Sequence, residues 1–432
     1  MRWAFSVLLI FCLVILTPIL IHPAKAASAD SWILEAPLPV PFSSAGAGVV
    51  NGRIYVIGSS FNSSTGQIGN FFNYQFDPIT DAWLTKTLMP NFTSGPTVAF
   101  QNKICVIGAF AGIVPFHTVA SSPTMFYDPE TDIWETKAPM PSVRVELQAN
   151  VVDGKIYLIG GGLPAIRDFP NPTNLNEVYD PAKDSWMEMT PIPTPVKDYA
   201  SAVVDNKIYI IGGARGTYPT PNSTLNLVQI YDTRTNQWSQ GKPMPVSVRN
   251  AAAIATAGLL APKRIYVFGG DTENTGALKQ GVSYVTYATS PTNITQVYDV
   301  ETDKWSFGAS MLSSRFDLAV ANVNDAIFAL GGYNGSAYSS ANEKYFPLEY
   351  SAVSSPSPTQ IPTSSPAQSP TSSASPSPSI TPSDSATQQP TSPIIDDTVE
   401  NFTPTIIIFG LLALVVALCL LVYFKKRKDK CE

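Results

Sequence analysis

Histidine and cysteine are almost missing from this 432-residue chain. The two histidines are His22 and His117, and the four cysteines are Cys12, Cys105, Cys419 and Cys431. His22 lies in an N-terminal apolar run, which leaves His117 alone for everything that follows. From that stock no His/Asp/Ser or Cys/His constellation can be assembled. No HExxH, CxxC or calcium-loop spacing occurs. His117, beside Phe116, reads as a solvent-facing side chain rather than a ligand. Neither a metal nor a cofactor is expected. Cys105 is the one cysteine between residues 27 and 350, so that region has no internal disulfide and depends on packing. The net charge is −6, and no basic patch with interleaved aromatics appears, which argues against nucleic acid as a partner.

What is present is repetition. Apolar stretches ending in glycine run from Ile54 to Gly58, Ile104 to Gly108, Ile156 to Gly161, Ile208 to Gly213, Ile265 to Gly270 and Ile327 to Gly332. Six copies at a period of about 50 residues indicate an array of one supersecondary unit. Most copies continue to a Tyr-Asp pair, such as Tyr179-Asp180 or Tyr231-Asp232. A short turn and a Trp follow, at Trp83, Trp134, Trp186, Trp238 and Trp305. A strand with a glycine doublet, then a spaced Tyr and Trp, resembles the kelch repeat, and the likeness covers roughly Asp30 to Pro347.

That resemblance implies an all-β, six-bladed propeller over residues 27–350, each blade four antiparallel strands. The first strand of each repeat is small and apolar, which suits crowding near an axis. The glycines suit close backbone approach or positive φ. The Trp offers a large ring to pack between blades. Asp30-Ser31-Trp32 matches an outer strand, whereas the sixth repeat lacks one after Tyr345. The N-terminal strand is therefore expected to complete the last blade, because an open edge invites association. Gly58-Ser59 and Gly108-Ala109 depart from the doublet, and they read as packing variants that keep small size.

The flanks have other compositions. Residues 1–26 read as a secretory signal: Arg2, an apolar run and Ala24-Lys25-Ala26. Residues 351–402 are rich in Ser, Thr and Pro and read as a disordered, O-glycosylated stalk. Residues 403–424 include an uncharged run from Thr405 to Phe424, the length of one membrane helix. The basic tail 425–432 follows. By the positive-inside rule the tail is cytoplasmic and the propeller extracellular, in a single-pass protein of the cell membrane. Asn62, Asn91, Asn222, Asn293 and Asn334 each begin an Asn-x-Ser/Thr sequon.

Charged residues recur where one repeat passes into the next: Arg144 with Glu146, Lys197 with Asp198, Arg249 beside Asn250, and Arg315 with Asp317. Phe42 and Phe92 stand in the first two copies. Antiparallel order puts these links on one face with the long, aromatic-bearing loops. Arg144, Glu146, Lys197, Asp198, Arg249, Arg315 and Asp317 are therefore the candidate ligand-binding residues. Pairing among themselves or plain solvation is the alternative reading. Taken as four basic blades against two aromatic ones, they predict a partner that carries carboxylates. The function expected is a cell-surface adhesion module that binds an extracellular protein or glycan. The alternative is a carbohydrate-active enzyme such as a sialic-acid-type epimerase or mutarotase, a reading that rests on likeness to secreted six-bladed kelch proteins. It would use Arg144, Glu146 and Arg315. Copper oxidases of kelch-like fold need several histidines that this chain lacks.

Overall fold

The computed structural model describes residues 28–351, apart from 63–66, 91–94, 109–122, 164–169, 217–222 and 273–288. The signal, stalk and membrane segments, His117 and the loop aromatics Phe110, Phe116, Phe169, Tyr218, Tyr284 and Tyr287 lie outside the described residues. Among the described residues no helix is long and apolar enough to cross a membrane.

Six four-stranded antiparallel sheets form a six-bladed propeller. Blade 3 is typical: Ala149–Val152, Lys155–Ile159, Asn176–Asp180 and Ser185–Glu188 run from the axis outward. The innermost strands neighbour one another around a closed circuit. Small residues allow this, since alternate side chains of each inner strand fit between the blades on either side. The second strand of each blade is buried along nearly its whole length, as in Ile156, Tyr157, Leu158 and Ile159.

Blade 6 is closed by the N-terminal strand. Ser31–Leu34 pairs antiparallel with Asn342–Phe346, placing Trp32 opposite Tyr345. The expectation from the orphan Asp30-Ser31-Trp32 holds.

The seams between blades share one device. The residue two before each Trp has positive φ, a conformation that favours Asp and Asn: Asp30, Asp81, Asp132, Asp184, Asn236 and Asp303. Its side-chain oxygen accepts a backbone N–H from the neighbouring blade, from Ala309, Ala36, Thr87, Ala138, Thr190 and Lys242 respectively. The Trp two residues on donates its indole N–H to the carbonyl of that same neighbour, as Trp186 does to Ala138 at 3.1 Å. Trp32, Trp83, Trp134, Trp238 and Trp305 repeat the bond. Five of the six carboxylates or amides also accept a Tyr O–H, as Asn236 does from Tyr231 at 2.6 Å. Phe76 occupies the tyrosine position in blade 1 and cannot donate. Each such bond contributes about 1 kcal/mol net.

The glycine doublets bend the chain at the loop-rich face. Gly160 and Gly161 have φ of 61° and 80°. A Cβ on Gly160 would stand 2.7 Å from the carbonyl oxygen of Val196. Blade 1 differs more than a packing variant would, whereas Ala109 of blade 2 lies outside the described residues. Gly58 and Ser59 stay extended, so the strand runs on from Arg53 to Asn62 and pairs with Gln67–Asp77. The missing second glycine changes the path of the chain, because Ser adopts the left-handed pair poorly.

Removing residues 30–39 is expected to expose the edge of blade 6. Light scattering after size exclusion should then show concentration-dependent association of the shortened protein, and a monodisperse monomer would contradict the closure.

Candidate functional site

The links that enter each innermost strand define the loop-rich face, and their backbone bonds set the register between blades. Val196, Val248, Arg315 and Phe42 are equivalent, since each carbonyl accepts the N–H of a second glycine: Gly161, Gly213, Gly270 and Gly332. The next residues, Val145, Lys197, Arg249 and Phe316, each exchange two backbone bonds with the loop of their own blade. Arg144 precedes Val145 and so belongs to the first set. The four basic residues therefore occupy two positions. Arg144 and Arg315 share the inner slot with Val196, Val248 and Phe42. Lys197 and Arg249 occupy the following one.

That offset decides where the charges go. Successive side chains of an extended link point to opposite sides. Arg144 and Arg315 turn into the blade and are 0% exposed. Arg144 Nη2 meets Glu177 Oε2 at 2.7 Å, and Nη1 donates to the Gly160 carbonyl at 2.7 Å. Burial lowers its pKa, and Glu177 opposes that shift. Arg315 lies 3.3 Å from Glu343, and its Nε and Nη1 find no acceptor among the described residues. Where the slot holds valine, glutamine replaces the glutamate. Gln229 exchanges two hydrogen bonds with Thr194, and Gln296 does the same with Val246. The slot thus takes Arg with Glu or Val with Gln, and the pairing is complete in blades 3 to 5 and partial at Arg315.

The other candidates gather at the axis. Lys197 Nζ holds Glu146 Oε2 at 2.7 Å and lies 3.8 Å from Asp198. Arg249 pairs with Asp271 at 2.7 Å. Asp271 is a site residue that sequence reasoning missed. Its bridge to Arg249 joins a loop to a link, and no local spacing announces it. Tyr333 and Tyr338 were missed as well. They pack in series beside Phe316, Tyr333 edge-on to it and Tyr338 tilted against Tyr333, with ring centroids 5.5 and 5.2 Å apart.

Burial pushes Asp317 up to about 8, reinforced by Asp198 and Glu146. Burial likewise raises Glu146 and Asp198. A raised Glu146 is the feature that a carbohydrate-active enzyme would need. The Arg144 and Arg315 guanidinium groups required beside it face away into the blades, so that constellation is not assembled. The predicted partner carboxylates relied on the same two arginines. Lys197 and Arg249 are the two candidate cations left on this side, and both are already ion-paired.

The Kelch motif model matches residues 144–193, 195–245 and 262–312, three successive blades with the glycine, Tyr and Trp described above. This chain is a kelch-repeat β-propeller. Kelch-like protein 23 of Homo sapiens is 25% identical over 303 residues, covering 68% of this chain and 46% of that protein. Kelch-like protein terF of Aspergillus terreus is 26% identical over 242 residues, covering 53% and 50%. The kelch chain therefore spans about half the length of these relatives or less. The solved "Structure of YjhT" is 16% identical, covers 71% of this chain and 95% of its own, and superposes with a TM-score of 0.54, which shows the fold.

In this kelch propeller, Arg144→Met should leave Glu177 buried without its cation and cost about 3–5 kcal/mol. Arg144→Val with Glu177→Gln, the combination that blade 4 uses, should recover most of that. Arg315→Met should cost less, because Glu343 keeps the Leu312 N–H and the Ser313 hydroxyl as donors. Chemical denaturation of the four proteins would check the order.

Proposed function

We propose that this chain is a membrane-anchored kelch module that engages an extracellular partner protein through its loop-rich face. One observation carries the reading: the described entry links and the strand ends that bracket the long loops lie on a single face of a closed disc. Long loops on a rigid scaffold are the usual seat of binding. The floor of that face is the cluster Glu146, Lys197, Asp198, Arg249 and Asp317, flanked by Tyr333 and Tyr338. The described chain leaves the propeller on the opposite face. There Ser351 N–H donates to the Leu260 carbonyl, and Arg264 binds Glu349 at 2.8 Å. The last described residue, Ser351, is thus on the face away from the loops. The uncharged run within 403–424 and the basic tail 425–432 support the anchor and its orientation.

The test is a binding screen of the full chain, displayed on cells, against arrays of soluble ectodomains and of glycans. Tyr333→Asp with Tyr338→Asp should abolish capture of the bound ectodomain, and Lys263→Glu on the opposite face should not. Equal loss in both variants, or capture by glycans alone, would overturn the reading.

Glycosylation follows from the same orientation and separates two sequons. Asn334 is exposed, and its Oδ1 accepts the Ser336 and Ala337 amides, leaving Nδ2 uncommitted among the described residues. Asn293 is half-buried and donates Nδ2 to the Met311 carbonyl, and Thr295 of its sequon is buried. Glycopeptide mass spectrometry of the native protein should find a glycan on Asn334 and none on Asn293. Asn62 ends a strand, and Asn91 and Asn222 lie outside the described residues.

A further inference from the structure

The axial end of the loop-rich face is a partial ring made of backbone, described for five of the six entry links. Asp198 N–H donates to the Glu146 carbonyl at 3.0 Å, Asn250 to Asp198 at 2.7 Å, Asp317 to Asn250 at 2.9 Å, and Ser44 to Asp317 at 3.0 Å. Each of these bonds joins the entry links of two blades. All five residues have positive φ, between 52° and 59°. Three of the five are carboxylic acids, so the bonds that tie the links together are carried by titratable residues.

The charge around the ring does not balance. The acids are Glu146, Asp198, Asp271 and Asp317, and the cations among the described residues are Lys197 and Arg249, which leaves two formal negative charges. Asp317 makes no ion pair or side-chain hydrogen bond among the described residues. Its ionisable neighbours are Asp198, Glu146, Arg249, Asp271 and Tyr338, with Tyr333 adjoining Tyr338. Asn250 and Ser44 complete the ring and do not titrate. No group of three acidic, histidine or cysteine side chains among the described residues is arranged to hold a metal ion. The Glu146 side chain is 32% exposed, so protons reach the ring from solvent.

We propose that this carboxylate ring is a proton-operated latch on the loop-rich face. Protonated, it holds the entry links of blades 3 to 6 together around the axis. Ionised, its like charges repel, the interblade bonds open more often, and the loops beside the links gain freedom. The inference deepens the binding-face reading but does not depend on it, because the latch is read without a partner.

The direction with pH follows from linkage. Asp317, pushed up to about 8, and the raised Glu146 and Asp198 hold protons where the unfolded chain, at about 4, has lost them. Their contribution to stability is complete below about pH 4 and is lost as pH rises toward 8. The seam carboxylates have the opposite sign. The Tyr179 and Tyr298 hydroxyls, with backbone N–H groups, hold Asp184 and Asp303 below the ordinary range. Their contribution falls only below about pH 4. The two effects therefore occupy separate windows.

The test is hydrogen exchange of the full-length protein at pH 5.5 and 8.0, corrected for intrinsic rates. Protection of the Asp198, Asn250, Asp317 and Ser44 amides should fall about tenfold or more between the two, as the release of one proton over a pH unit allows. The seam amides of Ala138 and Lys242 should keep theirs. Asp317→Asn should abolish most of the fall, and Glu146→Gln supplies the same readout should the first variant fold poorly. Ring protection unchanged with pH, an equal fall in the variants, or an equal fall at the seams would overturn the latch.

Discussion

At every seam, one residue at the end of an outer strand is gripped at both poles of its peptide group. A carboxylate or amide with positive φ takes its N–H, and an indole two residues later donates to its C=O. The gripped residues are Ala36, Thr87, Ala138, Thr190, Lys242 and Ala309, which share no side-chain character. Only their backbone is used, so the seam specifies the Asp and the Trp and leaves the partner free. A closed ring needs as many grips as blades, and the sixth comes from Asp30 and Trp32. That is why a strand from the start of the chain must be spent on its last blade.

The architecture was legible because its signals are local. Glycine doublets, Tyr-Asp and Trp fall within one repeat, and counting them yields six blades and an orphan outer strand. The seam was half legible. Trp was expected between blades, but its carbonyl partner lies roughly 47 residues away and has no fixed identity. Ser59 was read as a size-conserving change, but size was not the constraint. A second glycine lets the chain turn left-handed, and without it the strand continues.

The candidate site was misread for a similar reason. Arg144, Lys197, Arg249 and Arg315 look like one series when charge is matched to charge. Matched instead to the inner strand that follows, the arginines of blades 3 and 6 stand one residue earlier. The spacing to the acid carried the warning: two residues in Arg144–Glu146 and Arg315–Asp317, one in Lys197–Asp198. In an extended link one residue reverses the side chain, so a charge turned toward the axis becomes a charge inside the blade. The partners that confirm this, Glu177 and Glu343, lie about 30 residues downstream in the third strand.

The inner slot then shows where variation is tolerated. Within one chain it holds Arg with Glu twice and Val with Gln twice, two ways of giving the buried side chain of the third strand a partner. Such interchange marks a structural position. The ring residues behave differently. They share a backbone conformation that Asn satisfies, as Asn250 does, yet three of them are acids, and Glu gains nothing from the left-handed region. The left-handed backbone therefore does not account for Glu146, and placing Glu146, Asp198 and Asp317 beside one another is costly when they are ionised. The acids stand in blades 3, 4 and 6, whereas Asn250 and Ser44 leave blades 5 and 1 neutral. Lys197 and Arg249 offset part of the repulsion on ionisation, and the Arg249–Asp271 bridge ties the blade 5 link to the start of its own loop. Charge at the ring and position of that loop are mechanically joined through one link.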